Sequence, residues 1–122
     1  MKRMEIHVGG SVREALGEFA AAWHRGARGE QLAEVSARLD FEAMGEMIAA
    51  LTPRRLELLA RVASEPGLSI RALSRRLERD YKRVHGDVTA LGRIGLIERD
   101  AVGRLRAPYE ELVIRARLRA AA

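Results

Sequence analysis

The stretch RDYKRVHGDVTALGRIGLIERD, Arg79 to Asp100, decides how the rest of the chain is read. Asp80 is an N-cap type of residue, and the apolar residues after it recur at three and four. On a wheel of about 100° per residue, Val84, Val88 and Leu91 fall within about 60° of one another. That spacing predicts a helix over residues 80–93 with these three side chains buried. Lys82, Gly86, Thr89 and Arg93 lie on the opposite side, with His85 and Arg83 on its flanks. All six are small, polar or basic. Tyr81 and Asp87 lie nearer the packed side and read as supports, and Asp87 stands one turn from Arg83, a spacing that allows a pair.

An exposed face of this kind occurs on any surface helix, so the segments around it carry the weight. Upstream, Thr52-Pro53 is an N-cap followed by proline at the first helical position, and Leu51 and Leu56 stand where a hydrophobic staple would hold them. The helix so begun is expected to pack Leu56, Leu59, Ala60 and Ala63 and to stop at SEPG, Ser64 to Gly67. Ser69 caps a second short helix with Ile70, Leu73 and Leu77 inward, and ERD turns the chain into the third. Two short helices separated by a tight turn predict a helix-turn-helix. Downstream, LIER and RLRA flank Asp100 to Gly103, the pattern of a β-hairpin, here a wing over residues 96–107. The terminal run alternates, with Leu112, Ile114, Ala116 and Leu118 against Val113, Arg115 and Arg117. It is expected to be a strand closing a domain over 52–118.

The first 51 residues read differently. RMEIHV places Met4, Ile6 and Val8 on one side of a half-buried strand. Ser11 caps a predicted helix to about His24, in which Trp23 is a core or dimer-interface anchor. A second strand is expected from about Ala33 to Leu39, then a short helix capped by Asp40 and carrying Phe41, Met44, Met47, Ile48 and Leu51. The expected architecture is therefore α+β: a winged helix-turn-helix preceded by a β-α-β-α arm over 1–51, which serves dimerisation or partner binding.

Composition narrows the function classes. Of 122 residues 48% are hydrophobic and 32% charged, which places the chain among globular proteins. The net charge of +5 is unevenly spread: six Lys and Arg face eight Asp and Glu up to Thr52, whereas sixteen face nine from Pro53 onward. A basic second part points to an anionic partner, with nucleic acid first among the candidates. Cysteine is absent, which excludes disulfides, thiolate zinc ligands and a cysteine nucleophile. No signal peptide and no run of about 20 apolar residues is present, so a cytoplasmic protein without membrane contact is expected. His7, His24 and His85 lack metal-ligand spacing, no serine stands in a nucleophile elbow, and no glycine loop cradles phosphate. Glu110 and Glu111 are adjacent, hence on opposite faces of a strand. The expectation is a protein that is no enzyme and holds no metal or cofactor.

From Leu51 to Leu118 the sequence resembles winged helix-turn-helix transcriptional regulators of the MarR and ArsR type. It is most similar to a group of small prokaryotic DNA-binding regulators that share the RDYKxVHxDVxAL…GLIE core and a following PYEE segment. The resemblance implies sequence-selective binding of double-stranded DNA by a homodimer, usually as a repressor. On that reading Lys82, His85, Gly86 and Thr89 face base edges in the major groove, where lysine donates to guanine acceptors and histidine or threonine serve either way. Ser69, Arg71, Arg75, Arg76, Arg83 and Arg93 face phosphates, and Arg104 and Arg106 belong to the wing. Gly86 departs from the pattern, because the similar proteins commonly carry a polar or basic side chain there. The alternative role is that of an antitoxin-like partner holding a neighbouring, toxin-like gene product through its arm.

Overall fold

The computed structural model describes residues 2–9 and 35–118. In chain order the elements are β1 (Arg3–Val8), β2 (Val35–Phe41), α1 (Met44–Ala50), α2 (Pro53–Ser64), α3 (Ile70–Leu77), α4 (Tyr81–Arg93), β3 (Glu98–Arg99), β4 (Leu105–Arg106) and β5 (Glu111–Ala116). They divide into a unit of Ile48–Glu110 and a unit of Met1–Met47 with Glu111–Ala122. The predicted helix from Ser11 to His24, with Trp23, and the start expected for the second strand at Ala33 lie outside the described residues.

In the 48–110 unit each helix starts where a side chain caps it. Thr52 accepts from the Arg55 amide at 3.2 Å, Ser69 from the Ala72 amide at 3.1 Å and Asp80 from the Arg83 amide at 3.1 Å. Gly95 ends α4 with φ +83°. Its amide donates to the Gly92 carbonyl at 3.1 Å, and the Leu96 amide to the Leu91 carbonyl at 3.0 Å, so the last carbonyls are satisfied and Leu96 turns inward, fully buried. The three helices close over Leu58, Leu59, Val62, Ile70, Leu73, Val84, Val88 and Leu91, joined by Leu96, Ile97 and Leu105 from the hairpin.

The face of α2 differs from expectation. Leu58, Leu59 and Val62 are buried, whereas Leu56 is 36% exposed and Ala60 and Ala63 face solvent. Two overlapping apolar stripes run along this helix, and packing against the rest of the unit selects the one carrying Leu58 and Val62.

The wing is a two-residue ladder, Glu98 opposite Arg106 and Arg99 opposite Leu105. Asp100 organises its turn, accepting from the amides of Val102 at 3.0 Å and Arg104 at 2.9 Å. Leu105 also exchanges backbone bonds with the segment before α3: Gly67 N to Leu105 O and Leu105 N to Leu68 O, both 2.8 Å. The hairpin is thus tied to the helices through its second strand.

The other unit is a parallel sheet in the order β2-β1-β5. Met4, Ile6 and Val8 of the central strand are buried, and they stand beside Leu112, Ile114 and Ala116 of β5 and Ala37, Leu39 and Phe41 of β2. The opposite face is charged: Arg3, Glu5 and His7 stand beside Glu111, Val113 and Arg115 on one side, and Glu5 and His7 beside Arg38 and Asp40 on the other. Two expectations change here. Asp40 and Phe41 belong to β2, where they pair with His7 and Val8, so Asp40 caps no helix and α1 begins at Met44. The terminal strand forms as expected but joins β1 across the whole of its length, so the unit with the wing ends at Glu110 and not at residue 118. Alternation fixes which face of a strand is buried but not which strand lies at its edge, and only the fold supplies β1.

Candidate nucleic-acid interface

Val84, Val88 and Leu91 hold α4 against the core, as the wheel requires. Lys82, Arg83, His85, Gly86 and Arg93 are exposed on the remaining surface, and Thr89 is half-buried. Thr89 lines a groove with Val88, Gly92, Arg93, Ile97 and Arg99, between the end of α4 and the base of the wing. Gly86 has open space around it, since a Cβ added there meets nothing within 4 Å. Packing inside this unit therefore does not explain a glycine in the middle of α4.

Asp87 does not pair with Arg83. Its Oδ1 accepts from Arg55 Nε at 3.1 Å and its Oδ2 from Arg79 Nη2 at 2.7 Å. Arg55 in turn donates to the Ala50 carbonyl at 3.1 Å. The carboxylate is thus shared by two arginines, one from α2 and one from the turn before α4, and all three side chains are largely out of water. An exposed i−4 arginine offers one solvated contact, whereas this arrangement offers two charge-assisted bonds at a protected site. Tyr81 is more exposed than a packing support would be, and its ring carries Arg71, whose guanidinium carbon is 5.1 Å from the centroid. The His85 ring lies 6.1 Å away, tilted by 46°. Arg71, Tyr81 and His85 form one cluster bridging α3 and the first turns of α4.

The expected phosphate and wing residues separate into two groups. Arg75, Arg83 and Arg93 are exposed, and their guanidinium groups have no hydrogen-bond or ion-pair partner among the described residues. Arg76 donates to Glu65 at 3.1 Å, and Arg61 holds the other oxygen of the same carboxylate at 3.0 Å. The hydrogen bond from Arg76, then that from Arg61, keeps the Glu65 carboxyl below the usual carboxylate range. Ser69 is occupied as the cap of α3. Arg104 donates to the Gly67 carbonyl at 2.9 Å, and Arg106 donates to Glu98 across the hairpin at 2.6 Å, a bond that raises its pKa further. Both wing arginines are therefore held within the protein. Arg99, unremarked in the sequence reading, is the wing-base arginine without such a partner. Its charge, following the apolar pair Leu96 and Ile97, is the only local sign that it faces outward, and only the fold sets it beside Thr89 and Arg93.

A family model named HVO_A0114 matches residues 50–114, more than half of the chain. The chain belongs to the HVO_A0114 family. The HVO_A0114 match takes in α2, α3, α4 and both strands of the wing, with every residue of the interface described above. No curated protein matches the chain. Among solved structures, the multiple antibiotic-resistance repressor (MarR) from Listeria monocytogenes 4b F2365 is similar at 18% identity and a TM-score of 0.44, over 80% of this chain. The chain spans 65% of the length of that structure. Among the described residues no group of His, Asp and Glu is arranged to hold a metal ion, and no helix is long and apolar enough to cross a membrane.

Proposed function

We propose that this HVO_A0114-family protein is a sequence-selective, double-stranded DNA-binding regulator without enzymatic activity, acting as a homodimer and repressing the promoter it occupies. The observation that carries the reading is the exposed face of α4. Lys82, His85 and Gly86 project from a helix whose other side is locked by Val84, Val88 and Leu91, with capped α3 before it and a hairpin after it. A rigid helix preceded by a short helix and followed by a wing is the arrangement that enters a major groove.

In this reading Lys82 and His85 read base edges, Thr89 does so at the wing end of the helix, and Gly86 lets the α4 backbone approach the bases closely. Arg75, Arg83 and Arg93 meet phosphates directly. Arg71 does so from its seat on Tyr81, which limits the side-chain entropy lost on binding. Ser69 contributes through the amide-rich start of α3 that it caps. Arg76, Arg104 and Arg106 act as structural residues, because each already has a partner in the protein.

Selection from a random duplex pool tests the proposal. A recovered motif to which Lys82→Ala binds at least tenfold more weakly, about 1.4 kcal/mol, is expected, with a smaller loss on unrelated duplexes. A pool that yields no enrichment over the starting mixture overturns sequence selectivity.

A further inference from the structure

β5 is an edge strand of the described sheet, and its sequence is complementary to itself. The Arg117 amide donates to the Val8 carbonyl at 3.1 Å, so the odd-numbered residues of β5 turn their backbone groups towards β1. Leu112, Ile114 and Ala116 therefore turn theirs away from it, to the open edge. Glu111, Ile114, Arg115 and Ala116 are all exposed, Ile114 by 44%. A strand edge on which the amides and carbonyls of Leu112, Ile114 and Ala116 meet no other strand among the described residues is a template for another strand.

We infer that β5 is the seam of the homodimer, pairing antiparallel with β5 of a second copy about a two-fold axis at Val113. The inference rests on the dimeric reading above and adds where the dimer forms. In this register Leu112 faces Ile114 of the partner subunit in the hydrogen-bonded position, and the two symmetric copies of that pair make about four backbone bonds. Glu111 faces Arg115 of the partner subunit in the non-hydrogen-bonded position, where side chains come closest. The two-fold repeats that ion pair in the opposite sense, so both charges near the axis are matched. Shifting the register by two residues sets Arg115 against Val113 instead.

The state of the charges favours this edge over the one at β2. On β2 Arg38 already grips Asp40 of its own strand, with bonds of 3.0 and 3.1 Å. On β5 Arg115 has no hydrogen-bond or ion-pair partner among the described residues, and Glu111 reaches only Arg3, at 4.0 Å. Pairing β5 satisfies Arg115, covers Ile114 and removes an exposed edge in one step.

Sedimentation equilibrium of the full chain, alone and as mixed variants, tests the seam. Arg115→Glu sets Glu against Glu in both ion pairs, and its dimer dissociation constant is expected to rise about tenfold or more. Glu111→Arg sets Arg against Arg, with the same expected loss. An equimolar mixture of the two variants restores both pairs in a heterodimer and is expected to associate as the unaltered protein does, which also shows that both variants fold. A wild-type dimer whose dissociation constant neither variant changes overturns the seam and leaves the dimeric reading standing. A wild-type protein that stays monomeric with and without duplex DNA overturns the dimeric reading, and the seam with it.

Discussion

Gly86 lies inside α4 with nothing around it that a side chain would strike. A glycine in that position costs about 0.5–1 kcal/mol relative to alanine. Gly86→Ala is therefore expected to stabilise the protein by that amount in urea unfolding while weakening duplex binding; a variant that binds DNA as well as wild type contradicts the close-approach role. Glu65 is the second informative residue, because its carboxylate pairs with Arg76. Its pKa in the folded state is lowered, so its pairs add stability above the ordinary carboxylate range and lose it as pH falls through the lowered value. Glu65→Gln is expected to release Arg76, raise affinity for any duplex and steepen the salt dependence by about one unit per subunit. Unchanged salt dependence would show that Arg76 never reaches a phosphate. Glu78 turns the chain between α3 and α4 with φ +52°, a left-handed conformation that a non-glycine residue adopts at a cost. Glu78→Gly is expected to be neutral or stabilising by up to about 1 kcal/mol in the same urea assay, against the usual loss for a glycine.

Among the elements, α4 depends on a support that local sequence rules do not reveal. Its N-cap, Asp80, was legible because capping acts within a few residues. Its buried stripe was legible because Val84, Val88 and Leu91 keep helical period. The partners of Asp87 were not: Arg55 lies 32 residues away and Arg79 eight, and the nearer Arg83 fits the intrahelical rule equally well. The face of α2 escaped for a related reason, since both of its stripes are apolar and only the packed unit chooses between them. Removing Asp87 leaves two poorly solvated guanidinium groups without a counter-ion at the base of α4, Arg55 keeping only its backbone carbonyl bonds. Asp87→Ala is expected to cost about 2 kcal/mol of stability by urea unfolding, and Asp87→Glu to recover part of it. A cost below about 0.5 kcal/mol would mean that water replaces the carboxylate and that the pair does not brace the helix.

At the scale of the whole molecule, the winged helix-turn-helix could be read from order and spacing, whereas the sheet β2-β1-β5 could not. Each of its strands shows an alternation that the sequence makes plain, yet β5 pairs with a strand more than 100 positions earlier. Charge distribution behaves similarly. The excess of basic residues beyond Pro53 was visible, but the fold decides which of them face outward without a partner. Of the arginines expected at phosphates or on the wing, Arg75, Arg83 and Arg93 do so, Arg71 rests on Tyr81, and Arg76, Arg104 and Arg106 bond within the protein. Under the proposed function Arg71, Arg75, Arg83 and Arg93, eight side chains in a dimer, meet the phosphates of the duplex. The central claim, that this surface binds duplex DNA, is tested most directly by fluorescence anisotropy of a labelled duplex titrated at several salt concentrations. The account predicts that the logarithm of the association constant falls against the logarithm of salt with a slope near about −7. A slope near zero, or no binding at low salt, would contradict it.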